Sequence, residues 1–320
     1  MKSQEKVTAF RNGEIKRNRG KGNMGMDACT LCPRMCGVNR AAGEKGYCGM
    51  DATIRAARAA LHMWEEPCIS GTQGSGAVFF SGCSLRCIFC QNFEIAEGNC
   101  AKEISGERLS EIFLELQEQG AANINLVTAA HYVPAVIESL KKAKAQGMDL
   151  PVIYNSSGYE RVETVQMLEE VVDVWLPDFK YMDSKLAFAY SRAKDYPEVT
   201  RAAIREMMKA AGTCAYDEDG YIQKGVIVRH LILPGHTKNS IAVLDELYGT
   251  YGDDLTISLM NQYTPLLQVR NIPDLNRRVT KREYEKVLDH ALDLGITQGF
   301  FQEGGTAKES FIPLFDYEGL

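Results

Sequence analysis

The sequence predicts an α/β fold: a partial (β/α)6 TIM-like barrel behind a small cysteine-rich metal-binding appendage. Three observations predict it. Short apolar runs are each followed by a longer stretch of 3.6-residue periodicity, the pattern of a parallel sheet covered by helices. The ten cysteines fall mostly into two clusters rather than spreading evenly. The 320 residues are 45% apolar, enough to bury one large core.

Four parts follow in order. Residues 1–25 read as a flexible basic tail, carrying Lys2, Lys6, Arg11, Lys16, Arg17, Arg19 and Lys21 against Glu5 and Glu14. Residues 26–71 hold five cysteines, several glycines and one strand candidate over 54–61, and form the metal-binding segment. Residues 72–320 form the barrel with a C-terminal extension. Its strands are expected at 77–80, 123–127, 152–154, 172–176, 226–233 and 255–259. Helices start near Glu107, Val133, Arg161, Ser184, Pro197 and Ser240. In the first of these, Leu109, Ile112, Leu116 and Gln119 recur at helical spacing before Gly120 stops the helix. Residues 261–320 add a loop, a helix and a late strand at 296–301 that extends the sheet.

Formal net charge is −6, so the chain as a whole has no electrostatic reason to bind nucleic acid. No stretch reaches the roughly 20 apolar residues that span a bilayer, and no apolar leader opens the sequence. The expectation is a cytoplasmic protein, whose cysteines serve as metal ligands rather than disulfides.

The chemistry concentrates in Gly82-Cys83-Ser84-Leu85-Arg86-Cys87-Ile88-Phe89-Cys90-Gln91-Asn92, directly after the first barrel strand. Active sites form at that end of barrel strands. A cubane cluster has four irons and is normally held by four thiolates. Cys83, Cys87 and Cys90 on one tight loop grip three irons of a [4Fe–4S] cluster and leave the fourth open. An open iron can chelate the amino and carboxylate groups of S-adenosylmethionine (SAM). Electron transfer into its sulfonium then gives methionine and a 5′-deoxyadenosyl radical. Such a cluster is oxygen-sensitive, which implies anaerobic chemistry. Phe89 offers an aromatic face for adenine. A zinc knuckle would need a fourth ligand at similar spacing, and the nearest candidate, Cys100, lies ten residues on. The loop after a strand and the aromatic before the third cysteine favour the cluster.

Cys29, Cys32, Cys36 and Cys48 form a second group, C-x2-C-x3-C-x11-C. Four thiolates at these spacings suit a tetrahedral zinc site or a second Fe–S cluster, and both readings stay open. Cys68, Cys100 and Cys214 stand alone and read as buried thiols.

The cysteine triplet with its Cys-Gln-Asn ending resembles the radical SAM superfamily signature in its activating-enzyme form. Cys29-Thr30-Leu31-Cys32-Pro33-Arg34-Met35-Cys36, Gly46-Tyr47-Cys48-Gly49 and His62-Met63-Trp64-Glu65-Glu66-Pro67 resemble the PflX-type proteins, which are named as pyruvate formate-lyase activating enzymes. The resemblance implies further site residues. Leu126-Val127-Thr128-Ala129-Ala130-His131 occupies the place of a Gly-Gly-Glu motif that receives the SAM amino group. The glycines and the acid are missing, which leaves Thr128 as hydrogen-bond acceptor and His131 as a further polar group. Tyr154-Asn155-Ser156-Ser157-Gly158 is similar to a Thr-Asn-Gly loop, and Asp178-Phe179-Lys180 to an Asp-x-Lys motif. By that match Asp178, Asn155 and Ser156 would hold a monovalent cation, and Lys180 would face the SAM carboxylate. Arg229, five residues before Pro234-Gly235, would reach the SAM carboxylate or ribose. No mechanism follows from the sequence for His62, Trp64, Glu65 and Glu66.

Three functions compete. The first is a radical SAM oxidoreductase, reduced by flavodoxin or ferredoxin, that installs a glycyl radical on a partner enzyme. The second keeps the chemistry but acts on a peptide, a cofactor precursor or a small metabolite. The third is a non-catalytic metal or electron-carrier protein.

Overall fold

The computed structural model describes residues 26–297, 299–302 and 313–320. The basic tail, 1–25, lies outside them.

In chain order the elements are β1 (Arg55–His62), α1 (Pro67–Ser70), β2 (Ser75–Phe80), α2 (Phe93–Ala96), β3 (Lys102–Glu103) and α3 (Gly106–Glu118). Next come β4 (Ile124–Val127), α4 (Val133–Ala145), β5 (Val152–Ser156), α5 (Val162–Leu168), β6 (Val174–Pro177), α6 (Ser184–Ser191) and α7 (Tyr196–Ala211). The rest are β7 (Ala215–Tyr216), β8 (Ile222–Leu231), α8 (Thr237–Tyr251), β9 (Thr256–Met260), α9 (Lys281–Asp293) and β10 (Gly299–Phe301).

The sheet order is β10-β9-β8-β6-β5-β4-β2-β1-β3, with β7 paired to β8 alone. From β2 through β10 the pairs along this order are parallel. These are the six expected barrel strands plus the late one. β2, β4, β5, β6 and β9 are buried throughout, as helix-covered parallel strands must be, while the edge strand β10 is half-buried. The helices start within three residues of the expected positions. Ser105 caps α3 by accepting from the Arg108 N–H, and Leu109, Ile112, Phe113 and Leu116 form its buried stripe.

The predicted strand at 54–61 is β1, and it is not confined to the appendage. It pairs antiparallel with β2 along its whole length, Ala56 opposite Phe80 and His62 opposite Ser75. The loop after β1 therefore reaches the barrel at the end opposite the cysteine triplet, which follows Phe80. Among the described residues no helix is long and apolar enough to cross a membrane.

Candidate active site

Cys83, Cys87 and Cys90 sit on the loop after β2 and line one cleft of about 230 Å3. Gly82 makes the turn at φ +89°; a Cβ there would lie 2.5 Å from Met50 and 2.9 Å from the Cys48 carbonyl oxygen. The loop is pinned from outside. Ile88 N–H donates to the Tyr190 carbonyl (2.9 Å) and Gly82 N–H to that of Ile95 (2.7 Å). Phe89 lines the cleft, yet its ring packs among Tyr181, Tyr190 and Tyr263, with centroids 6.2–6.4 Å away. It anchors the loop as well as facing the cavity.

The other predicted residues gather around the same cleft: Thr128 after β4, Asn155 and Ser156 at the end of β5, Asp178 and Lys180 after β6, and Arg229 in β8. Parallel register explains the grouping, since it aligns the strand ends; Asp178 bridges Arg229 directly. Thr128 has φ +62°, a left-handed conformation that a β-branched residue rarely takes. Gly158 is required behind Asp178, because a Cβ there would stand 2.1 Å from the Asp178 carbonyl oxygen.

Arg229, which lines the cleft, is held by three side chains. Its Nε donates to Asp178 (3.1 Å), one terminal nitrogen to Glu65 (3.0 Å) and the other to Asn155 (2.6 Å). Lys180 donates to the other oxygen of Asp178. Burial would raise the Asp178 carboxyl, but Lys180 and Arg229 hold it below its ordinary range. Of the oxygens expected to coordinate a monovalent cation, those of Asp178 and Asn155 accept from Lys180 and Arg229, and the Ser156 hydroxyl accepts from the Gly158 N–H (3.2 Å).

Glu65 is the residue that sequence reasoning missed. It enters the barrel from the far end, through the loop after β1, and accepts from the amides of Asn125 (3.2 Å) and Asn155 (3.3 Å) as well as from Arg229. The His62–Pro67 phrase stood out in the sequence, but only antiparallel pairing of β1 shows where it goes. Next to it Glu66 is buried, with its carboxyl pushed up by desolvation. His131, the further polar group of the sequence reading, is 2% exposed, with Nε2 against the Ser81 carbonyl (2.7 Å).

The thiol set fits an iron–sulfur cluster. Burial pushes the Cys87 and Cys90 thiols up, so their thiolates need a cation or donors to persist. Lys180 acts in that direction on both. The backbone N–H groups of Leu85 (3.4 Å) and Arg86 (3.5 Å) point at the Cys83 sulfur. Among the described residues no three His, Cys, Asp or Glu side chains converge as one ion requires. Thiolates on a cubane each take a different iron, so they need no common point.

The second group packs against this loop. Cys29, Cys32 and Cys48 are buried and Cys36 is exposed. Cys36 and Cys48 sulfurs stand 3.0 and 3.7 Å from where a Cβ on Gly46 would lie. None of the four lines the cleft. The segment docks on the start of α5, where Arg161 donates to the Thr30 carbonyl and Thr164 to that of Leu31, both at 2.6 Å. Of the isolated cysteines, Cys68 is buried while Cys100 and Cys214 are half-buried.

An uncharacterized protein of Methanocaldococcus jannaschii is 29% identical over 270 residues, 82% of this chain and 74% of that one. The crystal structure of HydG, a maturase of the [FeFe]-hydrogenase, shares the fold with TM-score 0.50 at 15% identity, over 74% of this chain and 54% of that one. Streptococcus suis SuiB bound to precursor peptide SuiA gives TM-score 0.45 at 12% identity, over 70% of this chain and 47% of that one. This chain thus spans about half the length of these two solved structures. The family model described as Radical SAM superfamily matches residues 77–247, from β2 into α8, which includes the cysteine triplet and every predicted cleft residue. The chain belongs to the radical SAM superfamily, whose members use a [4Fe–4S] cluster and SAM.

Proposed function

We propose that Cys83, Cys87 and Cys90 hold the [4Fe–4S] cluster and that the cleft beside them receives SAM. The observation that carries this is the convergence of three thiols from one loop with Thr128, Asn155, Ser156, Asp178, Lys180 and Arg229 on a single cavity. When bound and reduced, the cluster supplies the electron that splits SAM into methionine and a 5′-deoxyadenosyl radical. The chain's own residues bind and orient. Thr128 and Ser156 offer hydroxyls at the strand ends. Lys180 presents a buried positive charge; desolvation opposes it, but Asp178 and the Cys87 sulfur keep it protonated. Arg229, braced by Glu65, Asp178 and Asn155, keeps that side of the cleft rigid. The apolar wall of Phe79, Phe80, Leu85, Ile95 and Val127 excludes water and stray hydrogen donors from an unselective radical.

The substrate we propose is a glycine of a partner enzyme, with flavodoxin or ferredoxin as reductant. The reading is supported by the resemblance of the Cys-Gln-Asn loop and the second cysteine group to PflX-type activating enzymes. The second cysteine group, within residues 26–71, is proposed to bind zinc or an Fe–S cluster. Metal and sulfide content after anaerobic purification distinguishes these two.

Anaerobic incubation with SAM and dithionite should release 5′-deoxyadenosine. No release from protein with a full complement of iron would sink the proposal. Addition of a glycyl radical enzyme should give an electron paramagnetic resonance (EPR) doublet on that partner. 5′-Deoxyadenosine without a doublet on any such enzyme would move the substrate to a peptide, a cofactor precursor or a small metabolite.

A further inference from the structure

Ser191, the last residue of α6, is fully buried, and its hydroxyl donates to the Cys87 sulfur at 3.0 Å. The Tyr181 hydroxyl, also buried, lies 2.7 Å from the Ser191 oxygen. With Tyr181 donating to Ser191, the Ser191 proton is left for the sulfur. A hydrogen bond to a ligand sulfur stabilises the more negative, reduced cluster more than the oxidised one, and does so strongly where water is absent.

The geometry of Ser191 is enforced from the second cysteine group. Arg34, between Cys32 and Cys36, donates to the carbonyls of Ser191 (2.8 Å) and Arg192, two carbonyls that the end of α6 leaves unpartnered within the helix. Arg192 has φ +52°, a conformation that a non-glycine residue adopts at a cost. The remaining nitrogen, Nε, donates to the Ser84 carbonyl (2.9 Å), inside the cysteine triplet. Tyr47 and Tyr159 flank the guanidinium at 4.0 and 5.2 Å. One side chain thus ties the second group, the end of α6 and the first cysteine loop together.

We propose that Ser191 is a positioning residue that raises the reduction potential of the cluster through Cys87, and that Arg34 holds it in place. The inference rests on the reading of Cys87 as a cluster ligand. Its consequence is a compromise: the cluster accepts an electron from its reductant more readily, and keeps a little less drive for SAM cleavage.

The test is a potentiometric titration of the full-length, anaerobically reconstituted protein, followed by the EPR signal of the reduced cluster. Ser191→Ala should make reduction about tenfold less favourable, a lowering of about 59 mV for a one-electron couple. Ser191→Thr keeps the hydroxyl and should restore most of the potential. Arg34→Gln should lower it at unchanged iron content. Tyr181→Phe should lower it less, and carries the test if Ser191→Ala holds no iron. An unshifted potential in Ser191→Ala, or in Tyr181→Phe in that event, overturns the inference; an unshifted Arg34→Gln overturns the role of Arg34. Absence of iron from the wild type sinks the ligand assignment itself, and shows as missing metal rather than as an unmoved potential.

Discussion

The two cysteine groups sit within one packed region and differ in what surrounds them. The first puts three thiols on a loop at the mouth of a parallel barrel, facing a cleft. The second distributes four thiols over an irregular segment that closes on itself, away from the cleft. Three ligands beside a cavity leave a coordination position for a small molecule. Under the proposed assignment the second group would supply four ligands and leave no open position, which suits folding or electron transfer rather than substrate binding.

Paired substitutions test that contrast with the largest expected effects. Cys87→Ala should abolish cluster binding and reduce 5′-deoxyadenosine formation to background. Retention of wild-type iron at the first site would break the comparison at its root. Cys32→Ser should lose the metal of the second group yet keep SAM cleavage measurable, with lower thermal stability. If cleavage fell as far as in Cys87→Ala at full first-site iron, the second group would be part of the electron path rather than a scaffold.

The cleft side of the contrast depends on a buried charge network, and Arg229 is its centre. Arg229→Ala leaves Glu65 without its cation and Asp178 with Lys180 alone. Removing one member of a buried pair costs about 3–5 kcal/mol, so the urea midpoint should fall sharply while iron content holds. Little change in stability would mean that water replaces the guanidinium and that the cleft is wetter than its walls imply.

Much of this was legible in the sequence, for reasons that also mark the limits. Parallel strands buried on both faces leave continuous apolar runs such as those at 77–80 and 174–177, and the helices between them carry their own period. The cysteine triplet was legible because its ligands are local. Asp178 and Arg229 were each legible as strand-end residues through the resemblance, but their mutual ion pair was not, because it depends on register between β6 and β8. Glu65 was hidden for a stronger reason. Its role follows from β1 running antiparallel to β2, which delivers its loop to the opposite end of the barrel. The place of His131 was open in the sequence, because nothing local shows that the cysteine-rich segment covers it.

His131 marks the seam between the two groups. Its carbonyl accepts from Arg40 of the second segment, and its ring supports Ser81 beneath the first loop. The Ser81 carbonyl is an acceptor, so Nε2 carries the proton. Burial holds the imidazolium down, to about 3, against an ordinary value of 6.5. Between these limits the unfolded chain binds a proton that the folded chain refuses, so stability falls as pH drops through that window. The slope is about 1.4 kcal/mol per pH unit. His131→Asn should remove this share of the slope between pH 6 and 5. His62 and His230, both held down to about 4 by burial, should keep theirs. An unchanged slope would mean that the seam opens and lets His131 titrate normally.

The smallest effect expected is at Thr128, where the cleft places a β-branched residue at positive φ, whereas the second group's positive-φ turns use Gly37, Gly43, Gly49 and the unbranched Met35. A β-branched residue at φ +62° is held against its preference, at about 1–3 kcal/mol. Thr128→Gly relieves that strain but loosens the unfolded chain by about 0.5–1 kcal/mol. The net expectation is a protein about 1 kcal/mol more stable, read from the urea midpoint. If Thr128 contacts SAM, the same variant should bind it more weakly. A gain in stability with SAM affinity intact would reduce Thr128 to a turn residue, and the strain at the end of β4 would then serve the path of the chain rather than the ligand.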